Sequence, residues 1–162
     1  MMFDMETGVH VIKGCGFKIS SSTTMAEVHR LADQYIKSVY VTDNGYQHVT
    51  LMCNSVLNYE AENDIVLCFY GDQKIQSIEV HPTNDSIPDI LKCKDDIAKK
   101  CRGWLKQNGQ SMDHQIYDWG SVGYIEDMER NCFIGIRILF RCPFYQKLFD
   151  VWDEHYGGAL CE

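Results

Sequence analysis

Three groups of neighbouring carboxylates are the first residues in this chain that could perform acid–base chemistry. They are Asp95 with Asp96, Glu126 with Asp127 and Glu129, and Asp153 with Glu154. General acid–base catalysis requires burial to raise the pKa of one carboxyl group of such a pair. All three groups lie in polar stretches, so the sequence favours hydrated surface carboxylates over a catalytic pair.

Cysteine and histidine are the other residue types that could carry chemistry. The eight cysteines include no Cys-x-x-Cys motif, and no two of the six histidines are spaced as His-x-x-x-His. We therefore predict no metal site and no cofactor. A Cys–His nucleophilic pair stays open, because such partners meet in space and not in sequence. Cys15, which lies between two glycines, best suits a reactive thiol, whereas most thiols are predicted to be free and packed as small hydrophobic residues.

Negative charge dominates the chain, which carries 23 acidic residues against 15 Lys and Arg and has a net charge of −8. Residues 86–107 reverse this balance with six basic and three acidic residues. The surrounding negative field would repel phosphates, so this segment predicts a hydrated helix face and no nucleic-acid partner. No Gly-x-Gly-x-x-Gly or P-loop motif occurs, which leaves nucleotide phosphates without an evident cradle.

Acidic and aromatic residues are interleaved in and beside a predicted hairpin near residues 114–129. Aromatic rings supply much of the binding energy at protein interfaces, and carboxylates steer and pair with Lys or Arg. We therefore predict a surface for a basic protein partner, formed by Tyr117, Asp118, Trp119, Tyr124, Glu126, Asp127 and Glu129. A second candidate surface is a polar hairpin tip with Tyr59, Glu60 and Glu62. The alternative is that the rings at 117 and 119 belong to the core and the acids only solubilise a loop.

The strand around which these residues are arranged is predicted from Cys132 to Cys142. Its even positions are all apolar and its arginines fall on odd positions, which is typical of a strand with one buried face. Such a long strand, rich in β-branched residues, favours a central place in an antiparallel sheet.

Helical spacing predicts three helices. A capping box at Thr24 and Glu27 opens a first helix over residues 24–43, a second covers residues 86–109, and a third begins at Pro143.

Two-residue periodicity predicts the strands, with a bulge in the 74–80 segment. They cover residues 9–13, 16–19, 47–53, 56–60, 64–70, 74–80, 114–119 and 122–126. Because the strands come in consecutive groups between helices, the sequence predicts one α+β domain over residues 1–162. Its mainly antiparallel, curved sheet would pack against about three helices.

The chain has no apolar run approaching the roughly 20 residues of a membrane span, and its N-terminus lacks the basic start of a secretory signal. We expect a cytoplasmic protein with no membrane partner. In size, acidity and absence of catalytic motifs it resembles the small immunity proteins that block basic toxin domains in bacterial competition. The resemblance implies a non-enzymatic inhibitor of a nuclease-type toxin. The stretch from Thr24 to FYGDQKIQSIEV, predicted as a helix followed by a β-meander, also resembles modules of β-lactamase-inhibitor type in the order of its elements.

Two alternatives to an inhibitor stay open. One is a small enzyme or ligand-binding domain with an apolar pocket under the curved sheet, lined in part by the aromatic C-terminal helix. The other is a subunit that dimerises through Phe144, Phe149 and Trp152.

Overall fold

The computed structural model describes residues 2–12, 16–31, 35–51, 63–70, 74–82, 87–110, 113–127 and 133–156. The strands of this part of the chain are β1 Met2–Asp4, β2 Val9–Val11, β3 Lys18–Ile19, β4 Ile36–Val41, β5 Tyr46–Leu51, β6 Asn63–Tyr70, β7 Ile75–Pro82, β8 His114–Tyr117, β9 Gly120–Asp127 and β10 Phe133–Phe140. The helices are α1 Met25–Val28, α2 Ile87–Gln107 and α3 Gln146–Tyr156, the last preceded by a 3₁₀ turn at Pro143–Tyr145.

Seven of the strands form one curved antiparallel sheet in the order β4-β5-β6-β7-β10-β9-β8. The first three strands form a small antiparallel sheet of their own. The prediction of an α+β fold with a mainly antiparallel, curved sheet and about three helices is confirmed.

Strand β10 lies between β7 and β9, as its long apolar run predicts. Ile134, Ile136 and Ile138 are buried on one face of this strand. Arg137 takes the other face, where its Nε donates to Glu79 Oε1 at 2.8 Å. Helix α2 packs against β10 and β9, and its buried Ile97 joins the same core.

The prediction of a first helix over residues 24–43 is wrong. Its capping box forms, since Thr24 N donates to Glu27 Oε2 at 2.7 Å and Glu27 N donates to Thr24 Oγ1 at 3.3 Å. However, α1 ends at Val28, and residues 36–41 form strand β4. This segment is rich in β-branched residues, and pairing with β5 outweighs the helical spacing of its apolar positions.

Most other predicted elements are confirmed with small shifts of their ends. The bulge occurs in β7, where Cys68 pairs with Ser77 but Phe69 pairs with Ile75, leaving Gln76 as the extra residue. The predicted strand over 56–60 lies outside the described residues, and β5 pairs directly with β6.

Four cysteines lie in the described part of the chain, and all four are free thiols, as predicted for most cysteines. They are Cys68, Cys93, Cys101 and Cys142. Among the described helices, none combines the length and apolar character that crossing a membrane requires.

Candidate functional site

Tyr117 and Trp119 hold the N-terminal segment against the β8–β9 hairpin. Their rings stack with centroids 5.1 Å apart and planes 9° from parallel. Trp119 Nε1 donates to the carbonyl oxygen of Met5 at 2.9 Å, and both rings are partly buried against the core. Gly8 allows this contact, because it has a φ of +67° and an added Cβ would lie 2.3 Å from Trp119 Cδ2. A large part of both rings is therefore used inside the molecule.

Tyr124 and Glu126, two further residues predicted at the partner surface, contact helix α2. Glu126 forms an ion pair with Lys94, which lowers the pKa of its carboxyl group. The Tyr124 hydroxyl donates to Glu126 Oε2 at 3.2 Å, and burial, aided by Glu126, raises the pKa of Tyr124 to about 12. The Arg102 guanidinium lies 4.6 Å above the Tyr124 ring. The basic helix thus neutralises charge on this hairpin.

Asp118 lies at a second acidic region, which is centred on Arg141. Asp153 binds the Arg141 guanidinium with two hydrogen bonds of 2.8 and 2.9 Å, and this bonding lowers the pKa of Asp153. Asp118 and Asp150 also lie close enough to contribute to the raised pKa of Arg141, of which the Asp153 bond is the largest cause. Glu154 is exposed on helix α3, which also carries Asp150 and Asp153. We call Asp118, Asp150, Asp153 and Glu154 the acidic end.

Arg141 is held in place by more than its carboxylate partner. Its guanidinium lies 4.6 Å from the centroid of the buried Phe149 ring, and its Nε donates to the carbonyl oxygen of Tyr117 at 3.4 Å. The β8–β9 turn and α3 are therefore joined at this point. Three carboxylates, those of Asp118, Asp150 and Asp153, act on one guanidinium, and Glu154 adds an exposed charge on α3, so the acidic end keeps a net negative charge.

Of the remaining predicted partner residues, the structure describes Asp127. Asp127 is half-buried at the end of β9, opposite Phe133 of β10. Glu129, Tyr59, Glu60 and Glu62 lie outside the described residues.

Two of the three aromatic residues predicted to form a dimer interface instead pack against other parts of the same chain. Phe149 is 1% exposed, and the Trp152 ring packs against His114 with centroids 4.8 Å apart. Only Phe144 of the three is largely exposed, at 45%.

A thiol and an imidazole do lie on neighbouring strands, because Cys68 of β6 pairs with His48 of β5. Burial raises the pKa of the Cys68 thiol to about 12, and the Glu79 carboxylate adds to this shift. Burial also raises the pKa of Cys101 to about 12. A thiol with such a pKa carries almost no thiolate at neutral pH, so neither is a prepared nucleophile. Within the described ranges, no group of three or more His, Cys, Asp or Glu could hold a metal ion.

A cavity of about 570 Å³ opens between the segment before α1, the β6–β7 end and the 3₁₀ turn. Its lining is mixed, with Ser21, Ser22, Tyr70, Lys74, Ile75, Gln76, Arg141, Cys142, Pro143 and Phe144. It differs from the predicted apolar pocket under the sheet, where side chains from the strands and α2 form the core.

Sequence reasoning missed an aromatic cluster beside this cavity. The rings of Tyr46 and Tyr70 lie 4.5 Å apart, and Phe144 lies 5.8 and 5.5 Å from them. Pairing of β5 with β6 places Tyr46 opposite Tyr70. The strands predicted over residues 47–53 and 64–70 could have indicated this, had they been paired with each other. Nothing in the sequence pattern places the 3₁₀ turn beside them.

Comparison with protein-family models, with curated proteins and with solved structures finds no match to this chain.

Proposed function

We propose that this chain is a non-enzymatic inhibitor that acts in the cytoplasm by binding a basic protein, as an immunity protein neutralising a nuclease-type toxin domain does. The observation that carries the proposal is the acidic end, where Asp118, Asp150 and Asp153 face a single Arg141 and the exposed Glu154 follows Asp153 on α3. The net charge of −8 supports it, because such a field steers and accelerates encounters with a cationic partner.

The acidic end suits a basic partner better than the region around Tyr124 does. Glu126 already bonds Lys94, so an incoming Lys or Arg would have to displace this cation. Asp118 and Glu154 are exposed, and neither forms a salt bridge among the described residues, since Arg141 bonds Asp153 and only approaches Asp118. A toxin that binds phosphate groups presents Lys and Arg, and carboxylates satisfy the same donors with charge-assisted hydrogen bonds. Trp119 adds a partly exposed ring next to Asp118.

The experiment is to capture a basic toxin domain from the source cells with the tagged chain and to titrate the purified chain into its nuclease assay. We expect inhibition at a one-to-one ratio. The variant Asp118→Lys with Glu154→Lys should require at least about tenfold more protein for the same inhibition, because the introduced lysines repel the Lys and Arg side chains of the toxin. The matched control is Asp95→Lys with Asp96→Lys, which changes two exposed acids of α2 by the same total charge.

Equal loss in both double variants would show that net charge alone acts, and equal inhibition by all three proteins would contradict a role for the acidic end. Failure to inhibit any captured basic toxin would contradict the proposed function itself.

The cavity favours a second candidate, a ligand-binding domain or small enzyme. Its 570 Å³ volume is sufficient for a small molecule, and Ser21, Ser22 and Lys74 provide polar groups in its lining. A metabolite that raises the melting temperature of the native protein but not of Ser22→Phe would support this candidate.

A further inference from the structure

Strand β4 is the exposed edge of the seven-stranded sheet. All five residues from Lys37 to Val41 are exposed, with Val39 at 46%, Tyr40 at 63% and Val41 at 58%. The other edge strand, β8, is half-buried throughout and is covered by contacts such as that between His114 and Trp152. No described strand pairs with the outer side of β4. An uncovered edge of this kind is a template for another strand.

The backbone of β4 presents hydrogen-bonding groups at defined positions along this edge. Thr42 N donates to Tyr46 O at 2.8 Å, so the main chain of Thr42 faces β5. Because the direction alternates along an antiparallel strand, the N–H and C=O groups of Val41 and Val39 face away from β5. They are separated by Tyr40, which therefore lies at the centre of the free edge.

An antiparallel copy of the same strand complements this edge when the two-fold axis passes at Tyr40. Each Val39 then pairs with Val41 of the other copy through four main-chain hydrogen bonds in total. The two Tyr40 side chains lie opposite each other in a non-hydrogen-bonded pair, the position at which cross-strand side chains approach most closely. Near one end of the strand, Lys37 is bonded to Asp64 of its own chain at 2.9 Å, so its charge is already neutralised and does not oppose the other copy.

We infer that this chain forms a two-fold symmetric dimer through β4, which joins two seven-stranded sheets into one continuous sheet. Charge favours a second copy over a basic partner at this edge. Residues 35–42 contain one Lys and no acid, in a chain of net charge −8, so two copies can meet here without opposing carboxylates. The acidic end lies beside β8, at the opposite edge of the sheet, and stays accessible in such a dimer.

Sedimentation velocity over a range of protein concentrations tests the dimer. We expect the native mass to rise from that of a monomer to that of a dimer as the concentration increases. Tyr40→Lys should raise the dimer dissociation constant at least about tenfold, because it removes the aromatic pair and opposes two like charges. The matched control Val151→Lys adds the same charge at a residue of α3 that is 50% exposed, and it should dimerise like the native protein. A native monomer at all concentrations, or equal dimerisation of Tyr40→Lys, would overturn the inference.

A second set of variants leaves Tyr40 unchanged and tests which residues of the two β4 strands lie opposite each other. Val39→Lys and Val41→Glu should each weaken the dimer. The double variant should recover it, because the lysine introduced in one copy then faces the glutamate introduced in the other. Thermal melts establish that each variant is folded. A double variant as weak as the two single losses combined would contradict pairing about Tyr40.

Discussion

Acidification should destabilise this protein through His10, a buried residue of β2. His10 is 0% exposed, and its ring meets the Phe140 ring with centroids 6.2 Å apart. Burial lowers the pKa of its imidazole from 6.5 to about 3, so the ring stays neutral in the folded protein at any pH well above that value.

The size of the effect follows from linkage between folding and proton binding. Because the folded-state pKa is lowered, the unfolded chain binds the proton first as the pH falls below 6.5, and His10 favours unfolding from there down to about pH 3. Between pH 7 and pH 5 this loss is about 2 kcal/mol of the free energy of unfolding, and by pH 3 it reaches about 4 kcal/mol. At a pH well above the unfolded-state pKa of 6.5, His10 is neutral in both states and lowers the stability of the fold by almost nothing.

Urea denaturation at pH 7 and pH 5 measures the loss, with His10→Phe as the comparison, because Phe keeps an aromatic ring but cannot titrate. Carboxylates lower the stability of both proteins alike, so the difference between them isolates the imidazole. We expect the native protein to lose about 2 kcal/mol more than the variant. Parallel losses in the two proteins would refute the assignment of a neutral, buried His10.

Two further predictions concern local packing and thiol reactivity. Gly8→Ala should cost at least about 1 kcal/mol more stability than Gly16→Ala, because both glycines have a φ near +66° but only the first meets Trp119; equal melting-temperature shifts would contradict the clash. Cys68 and Cys101 should resist a thiol reagent at neutral pH in the folded protein and react after unfolding, since burial raises the pKa of both to about 12; rapid labelling of either in the native state, located by mass spectrometry, would contradict this.

The sequence identifies β10 correctly because burial of one face leaves a direct two-residue pattern in the residues themselves. It misassigns residues 36–41, because apolar residues three or four positions apart fit a helix as well as they fit this edge strand. The decision between the two rests on pairing with β5, a contact between segments that no local pattern records.

The sequence predicts only part of the candidate site, because only some of its residues belong to a local pattern. Composition and acidic–aromatic interleaving point to the β8–β9 hairpin and to Asp118. They do not reveal that Lys94 of α2 neutralises Glu126, or that α3 brings Asp150 and Asp153 around Arg141. Both facts depend on how distant helices pack against the sheet.

The salt dependence of the affinity for a captured basic toxin domain tests the central claim most directly. Between about 0.1 and 1 M salt the Debye length falls from about 10 Å to about 3 Å, which screens exposed charge pairs. We expect calorimetric titration of the native chain to show a large loss of affinity over this range, and that of Asp118→Lys with Glu154→Lys to show a much smaller one. The same salt dependence in both proteins would contradict binding through the acidic end.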